Sequence, residues 1–157
     1  MTSIPQSPLQ TASTSTFESL ALLLPDVVPS TGQLAAPLAH GVRVPFAGPL
    51  AGALALHVSD DVARALAANM LGVDAVRGEP ADAQRLIRDA LGEVANVICG
   101  NLLPALAGRT AVFELGAPAP VPVDDPARPV AAITLGIDSG RADVALHLEP
   151  THGGAAA

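Results

Sequence analysis

Hydrophobic positions along the chain switch between two rhythms. Val42, Val44 and Phe46 alternate with Gly41, Arg43 and Pro45. After Ala47-Gly48-Pro49, the series Leu50, Gly52, Leu54, Leu56, Val58 alternates with Ala51, Ala53, Ala55 and His57. A period of two belongs to strands, so this stretch predicts a strand, a turn and a longer strand. Ser59 is then placed to cap a helix with Asp60 and Asp61 at its positive end, running through Met70 and Leu71 to Gly72. Pro80 suits the first turn of a second and longest helix, extended to about Leu103, before Pro104 and Gly108. The rhythm of two returns at Ala111 to Leu115. After a loop rich in Pro it recurs at Val130 to Asp138 and Ala142 to Leu148, joined by Ser139-Gly140. In the last of these, Val144, Leu146 and Leu148 face one way and Asp143 and His147 the other.

Upstream, Phe17 to Leu24 reads as a short apolar helix stopped by Pro25. The resulting order, α-β-β-α-α-β-β-β, predicts an α+β domain: an antiparallel sheet with helices packed on one face. Residues 1–16 are uncharged and rich in Ser, Thr, Gln and Pro, and read as a disordered leader. The expected division is therefore a leader over 1–16, one domain over 17–149 and a flexible tail over 150–157.

Composition narrows what such a domain does. Asp and Glu number 15 against 8 basic residues, all of them Arg, giving a net charge of −7. An acidic chain without Tyr or Trp to stack bases argues against nucleic acid. Without Lys there is neither Schiff-base chemistry nor a phosphate-binding P-loop. A single Cys, Cys99, excludes an internal disulfide framework and fits a reducing compartment, so the expected location is cytoplasmic. The charge-poor stretch from Val27 to Ser59 is interrupted by Pro29, Pro37, Pro45 and Pro49, so no membrane span is expected there.

The long helix sorts into two faces at ~100° per residue. Ile87, Ala90, Leu91, Val94, Val97, Ile98 and Leu102 form a broad apolar arc. Asp89, Glu93, Asn96 and Gly100 fall opposite, within roughly 60° of one another by the same arithmetic. Asn96, Gly92 and Gly100 weaken a helix by about 1–3 kcal/mol relative to Ala. A glycine on the polar stripe lets another surface approach closely. On pattern alone, the stripe is read first as the solvated face of an amphipathic helix, and second as a site.

A resemblance adds to this reading. Asp89-Ala-Leu-Gly-Glu93-Val-Ala-Asn96-Val-Ile-Cys-Gly100-Asn101, followed by Glu114-Leu-Gly-Ala-Pro118, resembles the CheX branch of the CheC/CheX/FliY-type chemotaxis phosphatases. Their pattern is an acidic or Ser residue, three residues, Glu, two residues, Asn, and a later Pro. The resemblance implies hydrolysis of the aspartyl phosphate on a CheY-type response-regulator receiver domain. It makes Asn96 the amide that orients the attacking water and Glu93 the carboxylate that contacts the receiver's active-site Lys. Asp89, Gly100 and Pro118 take supporting places. It further implies that the chain carries no cofactor of its own, with Mg²⁺ held by the partner receiver, and that two chains form a homodimer through strand edges such as Val130 to Asp138 and Ala142 to Leu148. The other reading is a non-catalytic adaptor or assembly domain of the same fold, binding a receiver or a flagellar or chemotaxis complex.

Other chemistry finds little support. His40, His57, His147 and His152 show no metal-ligand spacing, and no G-x-S-x-G or nucleotide-binding glycine loop occurs. Cys99 has no neighbouring Lys or His in sequence and reads as an inert thiol.

Overall fold

The computed structural model describes residues 6–76, 80–124 and 127–150. The elements in chain order are α1 (Gln6–Ser19), α2 (Thr31–Ala35), β1 (Leu38–Ala47), β2 (Gly52–Ser59), α3 (Asp60–Leu71), α4 (Pro80–Ala107), β3 (Glu114–Leu115), β4 (Ala119–Pro120), β5 (Ala131–Ile137) and β6 (Gly140–Leu148). All strand pairings are antiparallel, in the order β3-β1-β2-β6-β5, with β4 also on β1. The architecture is the expected α+β one. Two elements, α2 and β4, were not foreseen.

The period of two sets which face of the sheet carries the large side chains. Val42, Val44 and Phe46 of β1, Leu54, Leu56 and Val58 of β2, and Val144 and Leu146 of β6 join one core with α1, α3 and α4. By register, the opposite face carries Gly41, Arg43 and Pro45 beside His57, Ala55 and Ala53, then Asp143, Ala145 and His147. Small side chains dominate there. The sheet therefore offers its bulk to the helices on one side, where each buried Leu or Val contributes about 1.5–3 kcal/mol.

Helix α4 is the centre of that layer, in contact with α1, α3, β1 and β2. It is long and apolar enough by length and composition to cross a membrane, with half of its most apolar window buried inside the molecule. Ile87, Leu91, Val94, Ile98, Leu102 and Leu103 are buried along it. The helix continues past the expected stop: Pro104 lies within it, and Gly108, at φ +93°, closes it with an N–H donated to the Pro104 carbonyl. Val97, expected on the apolar arc, is instead 36% exposed at the margin of the polar stripe.

Residues 6–16 depart most from expectation. Assigned to a disordered leader, they form the body of α1, with Leu9, Ala12 and Phe17 buried in the core. Several of the helix's Ser and Thr side chains fold their polarity back on it, although the buried Ser13 hydroxyl finds no partner among the described residues. Thr14, Thr16 and Ser19 hydroxyls donate to the carbonyls of Gln10, Ala12 and Ser15 at 2.9, 2.7 and 2.7 Å. The expected helix over 17–24 is only the end of this one, which stops at Ser19. Residues 1–5 and 151–157 lie outside the described residues.

Between α1 and β1, α2 is held by a reciprocal cap. The Gln33 N–H donates to Ser30 Oγ at 3.1 Å, and the Ser30 N–H donates to Gln33 Oε1 at 2.8 Å. Gln33 Nε2 then donates to Asp26 Oδ2 and the Asp138 carbonyl, both at 2.9 Å. This ties the segment to the β5–β6 turn. Asp26 also forms a two-bond backbone bridge with Gly136, on the outer side of β5. Of the two strand segments expected to offer edges, Ala142–Leu148 lies inside the sheet, between β2 and β5, and only β5 is terminal. At α3, Ser59 takes the cap position, but its hydroxyl donates to Asp61 Oδ1 at 2.6 Å rather than accepting from the helix.

Candidate functional site

The polar stripe of α4 faces solvent in the folded molecule. Asp89, Glu93, Asn96 and Gly100 are exposed, while their neighbours Ala90, Leu91, Val94 and Ala95 are buried. The amphipathic pattern thus orients the helix: its apolar arc fixes which way the four polar positions point. Arg88, Asp89, Gly92, Glu93, Asn96 and Pro118 surround an open depression of about 330 Å³. Gly100 stands one turn beyond it, with nothing within 4 Å of where a β-carbon would lie.

Pro118 arrives from the far side of the chain through strand pairing. Leu115 pairs with Phe46 and Ala119 with Arg43, so four steps on one strand oppose three on β1. Gly116 still donates its N–H to the Pro45 carbonyl at 2.8 Å, so the extra residue makes Ala117–Pro118 bulge away from the ladder, and the bulge carries Pro118 onto α4. Two glycines permit this. A β-carbon at Gly116 would lie 2.6 Å from Pro45 Cγ, and one at Gly92 would lie 3.0 and 3.1 Å from Pro118 Cβ and Cγ. Gly92, which costs helix propensity, is thereby the contact on which the loop rests.

Around this depression the polar groups are uncommitted. The ion pairs among the described residues are His40–Asp60, Arg64–Asp60, Arg85–Asp82 and Arg141–Asp143, and none draws on Arg88, Asp89 or Glu93. A solvated carboxylate, a carboxamide with two donors and an acceptor, and a guanidinium are available to whatever docks there. Asn cannot serve as a base, but it can donate to and accept from one water at once.

The remaining candidates fall elsewhere. His40 Nε2 lies 2.8 Å from Asp60 Oδ1, and Arg64 Nε donates to Asp60 Oδ2 at 2.9 Å. His40 and then Arg64 hold the Asp60 carboxyl below the ordinary carboxylate range. His57 Nε2 lies 2.9 Å from the Pro122 carbonyl. Cys99 is buried, and desolvation pushes its thiol up to about 12, which leaves it protonated and unreactive at neutral pH. No group of three or more His, Cys, Asp or Glu side chains among the described residues is placed to hold a metal ion. Sequence reasoning missed Arg88 and Gly92 as parts of the depression. The signal was present in their spacing, since Arg88, Gly92 and Asn96 follow one another at four-residue intervals on the helix.

Several solved structures share this fold. CheX in a CheX–CheY–BeF3–Mg²⁺ complex from Borrelia burgdorferi superimposes with a TM-score of 0.67 at 18% identity, over 92% of this chain and 97% of that one. The chemotaxis protein CheX from Desulfovibrio desulfuricans gives 0.67 at 23% identity, over 92% and 98% of the two chains. CheX from Vibrio vulnificus gives 0.65 at 17%, over 91% and 95%. No curated protein matches in a search by comparison with this chain. In sequence, the model of the family described as chemotaxis phosphatase CheX matches residues 40–127, which include most of β1, all of β2, α3 and α4, and the loop that delivers Pro118. That match spans more than half of the 157 residues, and the chain belongs to the chemotaxis phosphatase CheX family.

Proposed function

We propose that this protein hydrolyses the aspartyl phosphate of a CheY-type receiver domain, with Asn96 orienting the attacking water and Glu93 contacting the receiver's active-site Lys. The observation that carries this reading is the convergence of Glu93, Asn96 and Pro118 on one open depression, with both polar side chains exposed and unpaired. Support also comes from family membership and from the Borrelia relative, whose structure is a complex with CheY, BeF3 and Mg²⁺.

The chemistry asks little of the chain itself. Water oxygen attacks phosphorus in line, the bond from phosphorus to the aspartyl oxygen breaks, and the carboxylate leaves. The attacking water's protons remain with the inorganic phosphate or pass to solvent. Such a transfer depends on positioning and charge stabilisation. In this reading, Mg²⁺ and the phosphoaspartate both belong to the partner. Asn96 supplies orientation from a rigid helix, and Glu93 anchors that helix against the receiver's Lys. Asp89 borders the same depression, and Pro118 limits its far wall. Gly100 leaves α4 bare where the partner would pass.

The test is decay of a phosphorylated receiver with and without the full chain. The chain is expected to accelerate decay, and Asn96→Ala to bind the receiver while losing at least ~10²-fold of that acceleration, the usual cost of a misplaced reactant. Unchanged decay with retained binding would leave the adaptor reading in place of the enzymatic one. We further infer a homodimer in the cytoplasm, joined where β5 ends the sheet.

A further inference from the structure

We propose that Arg88 is the docking residue for an acidic side chain of the phosphorylated partner, acting on encounter and affinity and not on the chemical step. The inference rests on the phosphatase reading above and adds a residue which that reading does not use.

A charge problem motivates it. The chain carries a net charge of −7, and two of the carboxylates behind it, Asp89 and Glu93, stand at the depression. A phosphorylated receiver brings a phosphoryl group and metal-binding carboxylates of its own. Two negative surfaces approaching each other slow association unless a local positive charge offsets the repulsion. Among the described residues, Arg88 is the one cationic side chain lining that depression.

Its surroundings leave Arg88 free for this. Arg64 and Arg85 have Asp60 and Asp82 one helical turn away and pair with them. The positions one turn from Arg88 are Gln84, Arg85, Leu91 and Gly92, none of them acidic. Among the described residues no ion pair engages Arg88, so its five N–H donors keep their capacity for a bidentate grip on a carboxylate. An exposed Arg without a role is usually just solvated. This one differs by position. It also lines a second depression of about 210 Å³, bounded by His40, Gln84, Ile87, Pro120 and Val121, and so stands on the ridge between two hollows of one face.

Reach decides which step it affects. Eight residues separate Arg88 from Asn96, about 12 Å along the axis, so the guanidinium does not reach a phosphoryl group held at Asn96. It meets the rim of the partner, beside the reacting atoms.

Saturation kinetics of receiver dephosphorylation by the full-length chain test this, with Arg88→Glu, Arg88→Lys and Asn96→Ala compared at low and high salt. Arg88→Glu is expected to raise KM about tenfold with kcat within twofold of the parent, and to lose much of that rise at high salt, where the repulsion it adds is screened. Arg88→Lys should keep the salt dependence with a smaller rise in KM. Unchanged KM and salt dependence in an active Arg88→Glu protein would overturn the proposal, as would a loss confined to kcat. No acceleration by the parent chain would remove the phosphatase reading itself, and the inference with it. Thermal unfolding of Arg88→Glu, an exposed substitution, controls for folding.

Discussion

Gly100 shows how a single residue can trade stability for access. Its α-carbon lies in open space on the stripe that carries Glu93, yet glycine in a helix interior costs about 1 kcal/mol relative to Ala. Gly100→Ala is therefore expected to stabilise the fold by ~0.5–1 kcal/mol, raising Tm by a few degrees. If α4 docks the receiver as proposed, it should also weaken receiver binding, because the added methyl would stand on the docking stripe. Thermal unfolding and KM measured on the same variant check both halves, and a gain in Tm without loss of affinity would show that the glycine keeps no approach open. Gly92 is the opposite case. There the neighbour is already in place, and an added methyl presses on Pro118 at 3.0 Å. Of two glycines eight residues apart on one helix, one thus meets the molecule's own loop and the other faces open space.

At the scale of elements, α1 and the loop at Pro118 mark where the sequence could and could not be read. The strands were legible because alternation of large and small side chains over β1, β2 and β6 is a direct print of a sheet that turns its bulk to one face, although Ala53 and Ala55 are buried on the other. The long helix was legible because its apolar arc repeats at 3.6 residues, and the Glu93–Asn96 stripe followed from the same arithmetic. Helix α1 was hidden because its composition is that of a disordered chain. Its order comes from Leu9, Ala12 and Phe17 packing beside α4 and β5, contacts remote in sequence. Phe17→Ala is accordingly expected to cost ~3–5 kcal/mol, a large share of a typical net stability of about 5–15 kcal/mol. Denaturant unfolding of that variant checks it; a cost near zero would mean that α1 adds little to the fold. The bulge at Ala117–Pro118 was hidden for another reason. A one-residue mismatch between paired strands leaves no mark in either strand alone.

For the whole molecule, one rigid layer order places the site. The sheet supports α4 on one face, α1 and α3 flank it, and the fourth side is left to solvent and to Pro118. The same sheet bears on assembly. One terminus is made of the short β3 and β4, and the other is the seven-residue β5, whose outer side already holds Asp26 at Gly136. Light scattering is expected to give two chains per particle, whereas one chain per particle would rule out the dimer.

The exposed, unpaired carboxylate of Glu93 has a chemical corollary. The chain contains no lysine, so a carbodiimide that activates Glu93 finds no lysine amine in the same molecule or in an identical copy. Any isopeptide bond formed between that carboxyl and a lysine must join this protein to a different one. The side chain assigned to gripping the partner is thus also a place where the partner can be covalently trapped and its contacting lysine read out by mass.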